Sequence, residues 1–262
     1  MDKIDWFEYA NKAIYSIKLN HIDTRDRSKE LVGIGDLHRG ASNCDIKQFD
    51  EAIDYCKDSG AWILLMGDLG ESATRKSVGA GIYEQKLTPQ EQLDDIVERL
   101  YPVRNQIIGA HLGNHEYRLW KEVGMNFTKI MCDQLKIPYL GYSVNHVIKV
   151  GSERYIVFST HGCSKAAMRH TKLKAVMDIA RWNTADLYMY AHLHSLDYNY
   201  DIYQEYNSRN KVMDSHKRHY VITGAFLSYA DSYAEMKLYQ PEQNGFAKIK
   251  LFGDEHKIEV TF

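Results

Sequence analysis

Asp, Asn and His recur in this 262-residue chain at the points where apolar runs stop. Leu31 to Gly35 ends in Asp36-Leu37-His38, and Ala61 to Met66 ends in Gly67-Asp68. Gln106 to Leu112 ends in Gly113-Asn114-His115-Glu116. Tyr155 to Thr160 ends in His161-Gly162, and Asp186 to Tyr190 ends in Ala191-His192-Leu193-His194. Carboxylate oxygen, amide oxygen and imidazole nitrogen suit Mn²⁺, Fe²⁺ or Zn²⁺. No thiolate belongs to the set, which argues against a structural zinc site. One ion takes about four to six ligands. Asp36, His38, Asp68, Asn114, His161, His192 and His194 are too many for one ion and fit two that share a carboxylate. Such a pair can clamp the attacking and leaving oxygens of a phosphoryl transfer and acidify a bridging water. Any one of these histidines alone would read as a hydrogen-bonded structural residue. Their joint placement at five strand ends is what points to a metal centre.

The elements that must position these groups read as an α/β chain. The run Trp62 to Met66 is apolar throughout, as a strand buried on both faces should be. Asp45 precedes a helical pattern that Gly60 stops, so the opening is strand, helix, strand. Parallel sheets of this kind bind ligands at the carboxyl ends of their strands. In an extended segment, residues two apart point the same way, so Asp36 with His38, and His192 with His194, are expected to converge by strand alternation. Thr88-Pro89-Gln90-Glu91 predicts a helix start with a capping box, and Pro102 its end. Single helices are expected over 117–136 and 164–182. Val144 to Val150 and Tyr155 to Ser159 predict a hairpin, and 247–252 with 257–262 an antiparallel pair. An N-terminal helix is expected at about 5–19, a charged connector at 21–29, a loop or insertion over the site at 71–86, and a polar, tyrosine-rich excursion or hairpin at 196–217. One domain over 1–262 is the simplest account, with the motifs in 31–195 and further strands in 218–262.

Composition narrows the function. Apolar residues make up 44% of the chain, which suits a large core. The net charge of −2 argues against non-specific coating of nucleic acid, so any nucleic-acid contact must be local or assisted by bound cations. No apolar run approaches the length of a membrane span, and the N-terminus lacks a signal-peptide core. Cys44, Cys56, Cys132 and Cys163 form no CxxC pair and read as reduced thiols, which makes the cytoplasm the expected compartment.

The order D-x-H, G-D, G-N-H-E, H-G and x-H-x-H, from Asp36 to His194, resembles the calcineurin-like metallophosphoesterase superfamily. The resemblance implies an α/β fold in which a two-sheet β-sandwich is flanked by helices. It implies that Asp36, His38 and His194 bind one metal, that Asn114, His161 and His192 bind a second, and that Asp68 bridges them. His115 would not bind metal; it would hydrogen-bond a phosphate oxygen or protonate the leaving oxygen, which makes His115 and Asp68 the expected catalytic pair. Mn²⁺ is the expected metal, with Fe, Zn or Ni accepted by the same ligands. Two departures stand out. Ala191 replaces a common glycine, a small change. Gly67-Asp68-Leu69-Gly70-Glu71-Ser72 lacks the Asp-Arg pair of the Ser/Thr protein phosphatases, which argues against a protein-phosphatase reading.

Together these features imply an enzyme that hydrolyses phosphate esters through a metal-bound hydroxide. A phosphodiesterase or nuclease acting on nucleic acid or nucleotides is the leading expectation. The alternatives are a phosphomonoesterase for a small metabolite or phosphoprotein, and a scaffold that keeps the fold without chemistry. A scaffold should lack ligands, and none is missing. Arg39 and Arg118 follow directly on motifs and are the expected phosphate contacts. Arg75, Lys76 and the basic segment carrying Lys165, Arg169, Lys172, Lys174 and Arg181 add local positive charge, although a solvated helix face would look the same. Tyr117 and Trp120 could stack on a base but read as core. His111 also reads as core, and His146, His170, His216 and His219 mostly as surface.

Overall fold

The computed structural model describes residues 18–77, 81–230, 232–238 and 240–262. Two six-stranded sheets form its centre. One runs in the order β12 (Ile258–Thr261), β11 (Ala247–Phe252), β2 (Ser28–Ile34), β3 (Trp62–Leu65), β4 (Ile107–His111), β5 (Tyr139–Gly141). Its β2 to β5 are parallel, and β11 returns antiparallel to β2. The other runs β1 (Lys18–Thr24), β6 (Ser143–Val150), β7 (Glu153–Thr160), β8 (Leu187–Tyr190), β10 (Val212–Thr223), β9 (Leu196–Asn207). There β7, β8 and β10 are parallel neighbours.

Side-chain alternation sorts each strand between two cores. Leu64 and Met66 face the space between the sheets, where they meet Val157, Leu187, Met189 and Val221. Ile63 and Leu65 face outward, onto helices α1 (Ile46–Ser59), α2 (Pro89–Leu100), α3 (Glu116–Val123) and α4 (Phe127–Leu135). Phe158, Tyr188 and Tyr220 face outward from the second sheet, against Val176 of α5 (Arg169–Met177). The result is the expected sandwich flanked by helices on both faces. Asp45 caps α1 through Gln48 N, and Gly60 closes it in the left-handed conformation at φ 68°. Thr88 and Glu91 form the capping box of α2, a device worth about 1 kcal/mol.

Several expectations change. Residues 5–17 lie outside the described residues, and Lys18–Thr24 is a strand paired in parallel with β6, not helix or connector. The helix expected over 117–136 is two, because Gly124 ends α3 at φ 69° and Asn126 starts α4 with a side-chain cap. The 164–182 segment is helical only from Arg169, and continues as a 3-10 turn over Asp178–Arg181. Of the two readings of 196–217 the hairpin holds, and its second arm runs without a break into the expected strand at 220–223. No helix among the described residues is long and apolar enough to cross a membrane.

His146 and His219 are buried rather than on the surface. His146 belongs to a polar chain that crosses the inter-sheet core. Asn20 Nδ2 donates to Ile108 O and to His146 Nδ1, both at 3.3 Å. His146 Nε2 then donates to Ser159 Oγ (2.8 Å), which donates to His111 Nε2 (2.7 Å). His111 Nδ1 donates to Gly141 O (3.1 Å), so every link has a donor and an acceptor with both rings neutral.

Burial pushes the His146 ring down to about 4; burial, then Lys217, does the same to His219. In the unfolded chain both titrate near 6.5, so their contribution to stability is intact above that pH. It is lost as pH falls from about 6.5 to about 4, where only the unfolded state takes the protons. The melting temperature should drop across that window, and His146→Gln, which cannot titrate, should flatten part of the drop. An unchanged slope in the variant would contradict the assignment.

Candidate functional site

The ends of β2, β3 and β4 in one sheet and of β7 and β8 in the other open on the same rim. What turns their residues inward is not strand alternation. Asp36, His38, Asp68, His192 and His194 all adopt positive φ, between 48° and 66°. This left-handed conformation is unfavourable for side chains other than glycine and marks sites where the surroundings over-determine the backbone. Here the loops after β2 and β3 are zipped together: Asp36 N donates to Gly67 O, His38 N to Asp68 O and Arg39 N to Leu69 O, at 2.7 to 3.0 Å. His192 sits in a three-residue turn closed by Leu193 N to Ala191 O. Its own N–H donates to Asp36 Oδ2 (2.7 Å), which joins the two sheets.

The side chains of all seven expected ligand positions converge. Three overlapping groups have nitrogen and oxygen atoms within 4.8 Å of one another: Asp36, His38 and His194; His38, Asp68 and His115; Asp68, His161 and His192. His38 Nε2 lies 3.1 Å from His194 Nε2, and His161 Nε2 lies 3.0 Å from Asn114 Oδ1 and 3.2 Å from Asp68 Oδ2. Among the described residues, Asp36 Oδ1, Asp68 Oδ2 and His192 Nδ1 are buried with no hydrogen-bond partner. Buried carboxylate oxygens without partners are costly unless a cation answers them. His161 donates from Nδ1 to Met66 O (2.9 Å), so its Nε2 lone pair faces two oxygens. A proton or a metal ion between these atoms resolves that repulsion, and the donor set is one that divalent ions accept.

Electrostatics point the same way. Burial opposes the charge on Asp68, yet His161 and His115 hold its carboxyl well below the usual range. Burial likewise raises Asp36, and His194 more than reverses this. Burial lowers His161, but Asp68 drives it up to about 10.

Two acids outside the expected set organise the site. Glu116, buried on the first turn of α3, accepts Asp68 N (3.1 Å) and Gly70 N (3.0 Å), which fixes the loop after β3. Burial and then the Asp68 charge push its carboxyl up to about 7. Glu71 Oε2 accepts from His38 Nδ1 (3.0 Å) and lies 3.2 Å from His115 Nδ1. Burial opposes ionisation of Glu71, and its bonds to His115 and His38 hold it ionised below the ordinary carboxylate range. Both acids were visible in sequence, Glu116 inside the tetrapeptide and Glu71 three residues after Asp68. Their type signals charge but not that backbone amides and ring nitrogens are their targets.

His115 is held by its backbone N–H on Asp68 Oδ1 (2.8 Å), and its Nε2 accepts from Arg118 Nη2 (2.8 Å). Arg118 also approaches Glu71 Oε1 (3.4 Å), so it lines the site. Arg39 turns the other way, with Nε on Asp95 Oδ2 (2.7 Å) of α2. The basic segment is largely paired: Arg169 grips Asp197, Lys172 is buried against Ser195 and Glu242, and Lys174 meets Asp178. Trp120 is half-exposed rather than core, and Cys163 is exposed while Cys56 and Cys132 are buried.

Solved structures similar to this chain include a predicted phosphoesterase from Streptococcus pneumoniae (12% identity, 89% of this chain and 98% of that chain, TM-score 0.37). Another is Vps29 complexed with zinc from Entamoeba histolytica (14%, 88% and 97%, TM-score 0.40). A third is a metallophosphoesterase from Sphaerobacter thermophilus (15%, 88% and 87%, TM-score 0.41). With TM-scores no higher than 0.41, the likeness decides neither activity nor ligand. No protein-family model matches the sequence, and no curated protein matches it.

Gly113 shows how tightly the site is packed, since a β-carbon there would collide with Asp68 N and Oδ1 and with Glu116 Oε2. Gly113→Ala should therefore displace Asp68 and destabilise the fold by about 1–3 kcal/mol, read as a lowered melting temperature. A melting temperature equal to wild type would show that the loop has room the structure does not.

Proposed function

We propose that the chain is a metal-dependent phosphodiesterase acting on nucleic acid or nucleotides. The observation that carries the reading is the convergence of His38, Asn114, His161, His192 and His194 on the buried carboxylates of Asp36 and Asp68, each of which has an oxygen without a hydrogen-bond partner among the described residues. In this reading Asp36, His38 and His194 hold one divalent ion, Asn114, His161 and His192 a second, and Asp68 both. Mn²⁺ is the proposed metal. When bound, the ions supply Lewis acidity toward the phosphate oxygens and lower the pKa of a water nucleophile.

The remaining work belongs to the protein. The Met66 carbonyl fixes the His161 tautomer with Nε2 inward, and Glu71 does the same for His38. Glu116 and the His115 amide brace the two sides of the loop that carries Asp68. His115 keeps its proton on Nδ1 toward Glu71 while Arg118 occupies Nε2. A phosphate ester entering beside them takes the Arg118 donors; His115, freed at Nε2, takes up a second proton there from water, which burial opposes but the Asp68 and Glu71 carboxylates favour, and passes that proton to the leaving oxygen. Both are held in place before substrate arrives, which lowers the ordering cost of the step. Support for a diester comes from the partners of the nearby cations. Arg39, Arg169 and Lys172 are each tied to an acid outside the ligand set, whereas Arg118 is bonded to His115 and Glu71 at the site itself. One guanidinium therefore faces the reacting side, which suits the single charge of a diester better than the two of a monoester.

With Mn²⁺ supplied, the protein should hydrolyse bis-p-nitrophenyl phosphate faster than p-nitrophenyl phosphate. His115→Ala should lower kcat on the diester by about a hundredfold or more. Asp68→Asn should lose bound metal, measured by elemental analysis of the purified protein. Preference for the monoester would move the assignment to a phosphomonoesterase. A protein that binds no metal and turns over neither ester would sink it.

A further inference from the structure

Beside Asn114 and His161 stands a pair of tyrosines that neither the core nor the metal-binding arrangement uses. Tyr117 lies on the first turn of α3, three residues after Asn114. Tyr142 lies between β5 and β6, directly before Ser143, which pairs with Thr160. Their rings meet edge to face, with centroids 6.3 Å apart at 77°. Tyr142 is 65% exposed, so at least one ring face is open to solvent. Lys121, one turn along from Tyr117, places its Nζ 5.5 Å from the centre of the Tyr117 ring.

The pair is indexed to the site by backbone bonds rather than left loose on the surface. Gly141, at φ 76°, accepts at its carbonyl from both Leu112 N (3.0 Å) and His111 Nδ1 (3.1 Å). That ties the residue before Tyr142 to the strand end that carries Asn114. Tyr142 O accepts from Thr160 Oγ1 (2.9 Å), the residue before His161. Tyr117 N donates to Gly113 O (3.2 Å). Both rings therefore hang from the same two strand ends whose residues, Asn114 and His161, touch at 3.0 Å.

We propose that Tyr142 and Tyr117 form an aromatic subsite that stacks a nucleobase of the substrate, next to the phosphate held at the Asn114–Arg118 edge. The inference rests on the phosphodiesterase reading and names the group that such a substrate carries. A flat ring system suits the site because an open aromatic face binds any base by stacking, whatever its hydrogen-bonding edge. Lys121 and Arg118 at the rim suit the anionic backbone joined to that base. An acyl chain would need a closed apolar groove, which an open pair flanked by cations does not make. Selection is then for a base-bearing ester with little preference among bases.

The test compares two esters with the same leaving group, thymidine 5′-(p-nitrophenyl phosphate) and methyl p-nitrophenyl phosphate. Wild type should favour the thymidine ester, and Tyr142→Ala should lower the ratio of the two kcat/KM values about tenfold, mainly through KM. Tyr142→Trp should keep the ratio. A ratio unmoved by Tyr142→Ala would overturn the subsite while leaving phosphodiester hydrolysis standing. If wild type turns over neither ester, the phosphodiesterase reading fails, and calorimetric titration decides the subsite separately. There AMP should bind wild type about tenfold tighter than ribose 5-phosphate, with the difference lost in Tyr142→Ala. Equal affinity of wild type for the two would overturn the proposal.

Discussion

Two carboxylates buried side by side set the terms for this structure. Asp36 and Asp68 are 0% and 1% exposed, and one oxygen of each lacks a hydrogen bond. Those two oxygens lie at the same distance, 3.9 Å, from His38 Nε2. Two like charges so placed can be held ionised only by positive charge nearby or by donors aimed at them. The protein supplies both in part: amide donors from His192 and His115, and rings from His38, His161 and His194. The left-handed loops, the glycine at 113 and the buried Glu116 are what such a placement requires. Each bends backbone or supplies an acceptor so that the two acids can face one space.

That arrangement needs two sheets. Asp36, Asp68 and Asn114 leave one sheet, whereas His161, His192 and His194 leave the other. The site is consequently only as well defined as the offset between the sheets. Apolar packing between them is dense but not directional. The chain from Asn20 through His146, Ser159 and His111 to Gly141 is directional, since every bond in it has a fixed donor and acceptor. A buried network satisfied at each link holds one register more sharply than apolar contact alone. Its His111 lies two residues before Gly113, so the same bonds that align the sheets also place Asn114.

How far this was legible in sequence follows from which forces are local. Runs such as Trp62–Leu65 and Leu187–Tyr190 declare themselves because a strand covered on both faces is apolar at every position. The polar residues that end them therefore stand out, and all seven expected ligands meet. The reason expected for the meeting does not hold. Strand alternation was to aim Asp36 with His38, but both are left-handed residues past the strand, and positive φ in a non-glycine leaves no mark in composition. His146 and His219 looked like surface because imidazole is polar, and only tertiary partners reveal that they are satisfied inside. The break at Gly124 was readable in principle, as a glycine followed by an Asn cap. The β9–β10 segment read as either excursion or hairpin because its outer half is polar and exposed.

Charge shows the same limit more sharply. In sequence, Arg39, Arg169, Lys172 and Lys174 gather near the motifs and suggest a positive field over the site. In the fold each has an acid partner: Asp95, Asp197, Glu242 and Asp178. A paired cation projects little field beyond its partner, and salt screens the rest within about 8–10 Å. The net charge of −2 is then no obstacle to an anionic substrate, because the attraction that matters is short-ranged. It is concentrated where Arg118 meets His115 and where the buried acids call for cations. Recognition beyond the phosphate must come from contact rather than from long-range steering. A site built this way discriminates by what touches its rim, and that rim carries the Tyr117–Tyr142 pair beside Asn114, Arg118 and Lys121.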